Sequence, residues 1–244
     1  MPGDFLLTNL SEPTNPEKPQ KTGFSAFLEW RDHNKYTSNL IAIVLFLILL
    51  PLFSGHIASQ YLVYVLIILV LMSAIFTLSG NRLHLIIGSF FAALSIMFNI
   101  LFFLTGEAPY YQASVIVPLF FFGFVTLIIF SGIIRERKIN FDIIAGAISV
   151  YFLIGITWAY GILVLELLVP YSFTLGGIDP NQLRYLPDFI SYSFSFLTTT
   201  GNFDVSAATP FARMIMMFEM ITGTLYIAIL ISWLVGKFIS REKP

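Results

Sequence analysis

Residues 196–204 read FLTTTGNFD and form a polar stretch between two long apolar runs. Selective pores bind dehydrated cations through oxygen ligands, which include backbone carbonyls and rings of acidic side chains. The hydroxyls, the glycine and the acid of this stretch therefore indicate cation passage. Asp204 would concentrate cations at the pore mouth, although a local cap for the following turn is equally consistent with the sequence.

The elements around this stretch must cross lipid. Of the 244 residues, 57% are hydrophobic and 11% are charged, whereas a soluble domain carries about 25% charged residues. A membrane-spanning helix needs about 20 mostly apolar residues. The sequence contains six such runs, at residues 39–54, 60–78, 83–104, 114–134, 143–168 and 211–236. The first run is short, and we expect its helix to begin near Tyr36. We predict an all-α integral membrane protein with six transmembrane helices.

The distribution of charge predicts the orientation of the chain. If both termini are cytoplasmic, only Arg184 and Arg213 of the 13 basic residues lie on the outer side, as the positive-inside rule requires. We therefore expect a multi-pass protein of the cell membrane with the lipid bilayer as partner. The net charge of -1 gives no reason to expect nucleic acid.

The chain divides into four predicted parts. Residues 1–38 form a cytoplasmic tail. Within it, the apolar residues of 23–36 recur at the spacing of an interfacial helix, although a soluble leader into the first transmembrane helix is equally consistent with the sequence. Residues 39–140 form a peripheral scaffold of four helices, without gating charges because the fourth run lacks Lys and Arg. Residues 141–236 form a pore domain, and 237–244 form a short cytoplasmic tail. No nucleophile elbow, zinc-binding helix or phosphate loop occurs, so we expect neither an enzyme nor a cofactor.

The connection between the last two runs predicts a pore loop. Pro187 followed by Asp188 is a helix start signal, and the amphipathic stretch after it is too short to span a bilayer. A short helix with a polar return is typical of a re-entrant loop, which faces protein or water. We predict a pore helix at 187–199, a filter at 199–204 and an inner helix at 211–236.

Residues 188–236, which read DFISYSFSFLTTTGNFDVSAATPFARMIMMFEMITGTLYIAILISWLVG, resemble the pore module of tetrameric potassium channels. The filter of that family reads TTVGYGD and precedes a T-P-x-G-R-like turn. Three groups of residues carry the resemblance: Thr198, Thr199, Gly201 and Asp204 in the filter, Thr209, Pro210 and Arg213 in the turn, and Glu219 and Gly223 in the inner helix. The match covers about a fifth of the chain and is specific because the spacings of all three groups agree.

The resemblance implies a homotetramer in which each chain supplies one loop around a central axis. The permeant ions would be potassium or another monovalent cation such as sodium. Backbone carbonyls of Thr199, Thr200, Gly201 and Asn202, with the Thr199 hydroxyl, would replace the water around the ion. The filter as a whole would comprise Thr198, Thr199, Thr200, Gly201, Asn202, Phe203 and Asp204.

Three positions depart from the family pattern. Thr200 replaces a nearly isosteric Val or Ile, and Asn202 replaces an aromatic residue. Phe203 replaces the second glycine, at a position resembling one that needs left-handed backbone, where another residue costs about 1–2 kcal/mol per chain. A shifted register with Asn202 in the unusual conformation would relieve this strain. We expect a cation channel with altered or weakened selectivity; the alternative is a non-conducting pseudo-channel that acts as an assembly partner or membrane sensor.

The inner helix supplies the remaining candidate residues. Glu219 lies deep in an apolar helix, and we expect a hydrogen bond to Ser193 or Ser195 that supports the filter, with direct ion contact as the alternative. Gly223 is consistent with a hinge and with close approach of a neighbouring helix. The residues that would form a cytoplasmic gate are Ile227, Ile231 and Val235.

Overall fold

The structure, a computed structural model, describes residues 34–50, 57–78, 81–136, 139–175, 186–201 and 205–241. In these ranges the regular secondary structure is helical apart from one two-stranded sheet. The helices are α1 (Lys35–Leu49), α2 (Ile57–Thr77), α3 (Arg82–Thr105), α4 (Ala108–Arg135), α5 (Phe141–Leu168), α6 (Leu186–Leu197) and α7 (Pro210–Arg241). The strands are β1 (Phe173–Leu175), between α5 and α6, and β2 (Val205–Ala207), between α6 and α7.

Among the described residues, four helices are long and apolar enough to cross a membrane. They are α3, α4, α5 and the Pro210–Trp233 part of α7. Helix α1, with 15 residues, and the Val65–Thr77 part of α2 are apolar but shorter. Helix α1 begins at Lys35, close to the expected start at Tyr36. Several apolar helices of this kind fit a multi-pass membrane protein.

The helix ends follow local capping, and several of them differ from the predicted bounds. The Asn81 and Asn140 side chains accept the Leu83 and Ile143 N–H groups, each at 2.9 Å, and so cap α3 and α5. Helix α4 begins at Ala108, not at 114, because proline is favoured in a first turn and Pro109 lies in this one. Helix α7 continues to Arg241, five residues beyond the predicted end of the inner helix at 236, because no proline interrupts the helix there.

Helix α5 is the centre of the packing. It contacts α1, α4, α6 and α7, and its buried residues occur on all sides along its length. At its N-terminal end, the Asp142 carboxylate accepts the Thr37 N–H and the Thr37 hydroxyl, both at 2.8 Å. Helix α1 is therefore fixed to the same helix that supports α6.

The predicted all-α class is confirmed, and one small two-stranded sheet accompanies the helices. Strands β1 and β2 are antiparallel, with Phe173 opposite Ala207 and Leu175 opposite Val205. The Thr174 and Ser206 hydroxyls lie 2.8 Å apart across the sheet. Since β2 follows residues 198–204 directly, the sheet fixes the segment after the candidate filter to the segment after α5.

Candidate pore module

Helix α6 is a short, largely buried helix between two long ones. Its 12 residues span about 18 Å at 1.5 Å per residue, well under the hydrocarbon thickness of about 30 Å. It contacts both α5 and α7. Its buried residues are Phe189, Ile190, Tyr192, Ser193 and Leu197. The sequence between the last two long helices thus forms an element that packs in the protein and does not cross a bilayer.

The turn after α6 closes the helix with its own backbone. Thr199 has a φ of 59° and Gly201 a φ of 72°, and a left-handed residue at this position commonly ends a helix. Three N–H groups bond to the last carbonyls: Thr198 to Phe194 (3.0 Å), Thr199 to Phe196 (2.8 Å) and Gly201 to Ser195 (3.0 Å). The predicted end of the pore helix at 199 is therefore wrong by two residues, since α6 ends at Leu197.

The threonines of the candidate filter come together in this turn. The Thr198 hydroxyl donates to the Phe194 carbonyl at 2.7 Å and lies 2.9 Å from the Thr200 hydroxyl. Thr198, Thr199 and Thr200 are exposed in the single chain, and Gly201 is half-buried. The other predicted filter residues, Asn202, Phe203 and Asp204, lie outside the described residues.

Glu219 of α7 meets Ser193 of α6 in a fully buried contact. The Ser193 hydroxyl is hydrogen-bonded to Glu219 Oε1 and also lies 2.7 Å from the Gly155 carbonyl of α5. Glu219 Oε2 is buried without a hydrogen-bond partner among the described residues. Ser193 is thus the partner of Glu219, whereas Ser195 donates to the Tyr192 carbonyl of its own helix at 2.7 Å. The Ser193 hydroxyl therefore links α6 to both α5 and α7.

Two glycines allow α6 to approach its neighbours. A Cβ atom on Gly223 would lie 2.0 Å from the Leu197 carbonyl oxygen, and one on Gly155 would lie 2.7 Å from the Phe194 ring. Real Cβ contacts are never so short, so each helix touches α6 through backbone. At Gly223 the structure shows the close approach of a neighbouring helix, α6. The hinge at this glycine stays a prediction.

Two charged residues fix the chain on either side of the site: Glu166, to which the sequence analysis gave no role, and Arg213 of the predicted turn. The Glu166 carboxylate accepts the N–H groups of Tyr171 (2.7 Å) and Phe173 (3.1 Å). Arg213 donates through Nε to the Ala207 carbonyl at 3.3 Å and through Nη2 to the Ala208 carbonyl at 3.2 Å. A signal for Glu166 was present, because an acid near a helix C-terminus opposes the helix dipole and needs a specific partner.

The candidate gate residues lie on a part of α7 that the chain itself leaves open. Ile227 and Ile231 are 42% and 55% exposed and one turn apart, so they share a helix face. The side chain of Val235 lies outside the described residues. The buried stripe of α7 consists of Ala212, Met216, Glu219, Gly223 and Tyr226. The rest of the described helix surface is therefore available to lipid or to other chains.

Comparisons with protein-family models, curated proteins and solved structures gave no match. The geometry around α6 is therefore the structural basis for a functional proposal.

Proposed function

We propose that the chain is one subunit of a homotetrameric cation channel of the potassium-channel superfamily, which conducts potassium or sodium passively across the cell membrane. In this proposal the chain crosses the membrane six times with both termini cytoplasmic, and α6 is the helix of a re-entrant pore loop. The observation that carries the proposal is the position of α6. It is too short to cross a bilayer, packs between two long apolar helices and ends in the Thr198–Gly201 turn.

The composition of that turn fits a cation site. It offers threonine hydroxyls and backbone carbonyls and contains no apolar side chain between Thr198 and Gly201. Oxygen ligands of this kind can replace part of the hydration shell of a monovalent cation. In the proposal, Thr199, Thr200 and Gly201 hold the ion, and the other three subunits supply the same residues around the axis.

The exposed surface of α7 supports assembly. In the described part of α7 one stripe is buried by its own chain, and outside it lie large apolar side chains that are more than two-fifths exposed, among them Phe211, Phe218, Leu225 and Ile231. In a tetramer one part of this surface would face the axis and another would pack against neighbouring copies. The interface between neighbouring subunits would be heterologous, with each copy contacting the next head-to-tail around the four-fold axis.

We expect this channel to differ from the potassium-channel family in its ion selectivity. Phe203 stands where the family pattern has glycine, and four strained residues would cost on the order of 4–8 kcal/mol per tetramer. A loop that relaxes this strain rebuilds the outer ion sites. We therefore propose a cation pore with weakened or altered preference for potassium.

The proposal is tested by thallium uptake into liposomes that contain the purified full chain. We expect uptake by the natural protein and a several-fold lower rate for Thr199→Val, which removes one hydroxyl and keeps the branched shape. The matched control is Thr126→Val, because the Thr126 hydroxyl donates to the Phe122 carbonyl of α4 at 2.6 Å, away from α6. The proposal would be contradicted if the natural protein took up no thallium, or if both variants lost uptake equally. If the natural protein assembled as a tetramer and still took up no thallium, the non-conducting pseudo-channel would be favoured.

A further inference from the structure

The segment between α5 and β1 is a tight turn that Glu166 closes. Tyr171 in this turn has a φ of 65°, a left-handed conformation that is uncommon for a residue other than glycine. Glu166 Oε1 accepts the Tyr171 N–H at 2.7 Å, and Oε2 accepts the Phe173 N–H at 3.1 Å. Strained backbone persists where the surrounding structure determines it. Here the two oxygens of one side chain hold the turn in its strained shape.

The residues after this turn connect it to β2 and to α6. The Ser172 carbonyl accepts the Ala208 N–H at 2.8 Å, and the antiparallel pairing of β1 with β2 begins at Phe173. The Phe173 side chain is 1% exposed. Its ring meets the Tyr192 ring of α6 edge-on, with 5.4 Å between the ring centroids. The turn that Glu166 closes therefore sets the position of β1 against both α6 and β2.

The sheet is too small to hold its own position. Each strand has three residues, and an isolated pair of strands is marginally stable at best in water. Contacts from the neighbouring helices must therefore fix it. On the α7 side, Arg213 bonds to the Ala207 and Ala208 carbonyls. On the α5 side, Glu166 bonds to the sheet through the Phe173 N–H.

The position of β2 matters for the candidate filter because the connection between them is very short. Gly201 is fixed at the end of α6, where its N–H bonds to the Ser195 carbonyl at 3.0 Å. Val205 is the first residue of β2, and three residues separate it from Gly201. A connection of this length reaches at most about 14 Å. Both of its ends are fixed, so the position of β2 limits the conformations that the connection can adopt.

We infer that Glu166 is a positioning residue for ion selectivity, and this inference rests on the proposed cation channel. Glu166 is not part of the filter. It holds β1, β1 pairs with β2, and β2 fixes the chain at the outer end of the filter. Loss of Glu166 frees that end, so the filter carbonyls no longer replace the water around the ion in one fixed geometry. The ions then keep more of their water, and their relative permeabilities approach their relative mobilities in water.

The experiment measures reversal potentials of the reconstituted full chain with lithium, sodium and caesium, each in turn against potassium. The permeability ratios obtained do not depend on the number of channels, so a variant that is merely less stable loses current and keeps its ratios. Glu166→Gln keeps one acceptor oxygen and should move the ratios toward the mobilities in water. Glu166→Leu keeps none and should move them further. Amide hydrogen exchange at 173–175 and 205–207 should become faster in the same order.

The matched control is Glu107→Gln, which removes the same charge on what the proposal makes the same side of the membrane. Glu107 is exposed at the start of α4, and its side chain makes no capping hydrogen bond. This variant should leave the permeability ratios and the exchange rates unchanged. If it moves the ratios as far as Glu166→Gln does, the effect is one of surface charge and the inference is overturned.

Three further results would also overturn the inference. They are natural ratios that already equal the mobilities in water, natural ratios in conducting Glu166→Gln and Glu166→Leu channels, and unchanged exchange at 205–207 in Glu166→Gln. In each of these cases a cation current leaves the proposed channel standing. Absence of current from the natural protein contradicts the channel itself, and the inference then fails with it.

Discussion

The contact between Glu219 and Ser193 has a consequence for the protonation of the site. A serine hydroxyl carries one proton and cannot donate to the Glu219 carboxylate and the Gly155 carbonyl together. The contact is satisfied at three oxygens, Glu219 Oε1, Ser193 Oγ and the Gly155 carbonyl, when Glu219 is a neutral acid. Glu219 then donates to Ser193, and Ser193 donates to the Gly155 carbonyl. Glu219 then acts as a hydrogen-bond donor between α7 and α6.

We therefore predict that Glu219→Gln preserves the fold and the ion flux, because the Gln amide can donate to Ser193 in the same way. Glu219→Leu removes the donor and should lower stability by about 1–3 kcal/mol, with loss of flux. Unfolding midpoints in detergent and thallium uptake measure the two effects. If Glu219→Gln and Glu219→Leu lowered the unfolding midpoint and the flux equally, the role of Glu219 would depend on its negative charge.

The packing of α7 against the end of α6 depends on Gly223. A methyl group there would overlap the Leu197 carbonyl, which is rigid backbone. We predict that Gly223→Ala separates the two helices and lowers stability by about 1–3 kcal/mol, as overpacking does.

The matched control is Gly161→Ala in α5, where the new Cβ would lie 3.9 Å from the Leu119 side chain, an ordinary contact. This substitution should stabilise the chain slightly, because alanine is favoured over glycine in a helix by about 1 kcal/mol. Unfolding midpoints of the two variants should therefore move in opposite directions. If Gly223→Ala is as stable as the natural protein, the close contact does not exist.

Strand β2 is held against α7 by Arg213. Both of its hydrogen bonds are to backbone carbonyls, at Ala207 and Ala208. We predict that Arg213→Met speeds amide hydrogen exchange in 205–207 while α7 remains protected. Arg82→Met is the control, since Arg82 is exposed at the start of α3 and should leave β2 unchanged. Unchanged exchange in Arg213→Met would mean that the sheet alone fixes the strand.

The long helices could be predicted from the sequence because apolar runs of about 20 residues have few alternatives in lipid. The end of α6 could not be predicted from the sequence, because Thr199 has left-handed backbone, which threonine rarely adopts. The sheet was also missed. Three-residue strands leave no periodic pattern, and β1 and β2 pair across more than 25 residues of chain.

Assembly of four chains is the prediction that concerns the whole molecule. The chain contains no cysteine, so a single introduced cysteine reports one position. Ile231→Cys should form cross-linked dimers with a short bismaleimide, because the proposal places the gate residues of facing subunits near the axis. Ile86→Cys is the control, since Ile86 is 63% exposed on α3, a helix that the proposal places at the periphery. Equal cross-linking at both positions would indicate random collision in the membrane.

The most direct test of a cation pore is the reversal potential of the reconstituted full chain, with potassium chloride on one side and sodium chloride on the other. We predict a cation current that reverses near zero, and a shift toward the potassium equilibrium potential in Phe203→Gly, where the strain on the filter is removed. A potassium-like reversal of the natural protein would show that Phe203 does not weaken selectivity. Absence of current from both proteins, in preparations where Ile231→Cys cross-links, would contradict the proposal that this chain conducts cations.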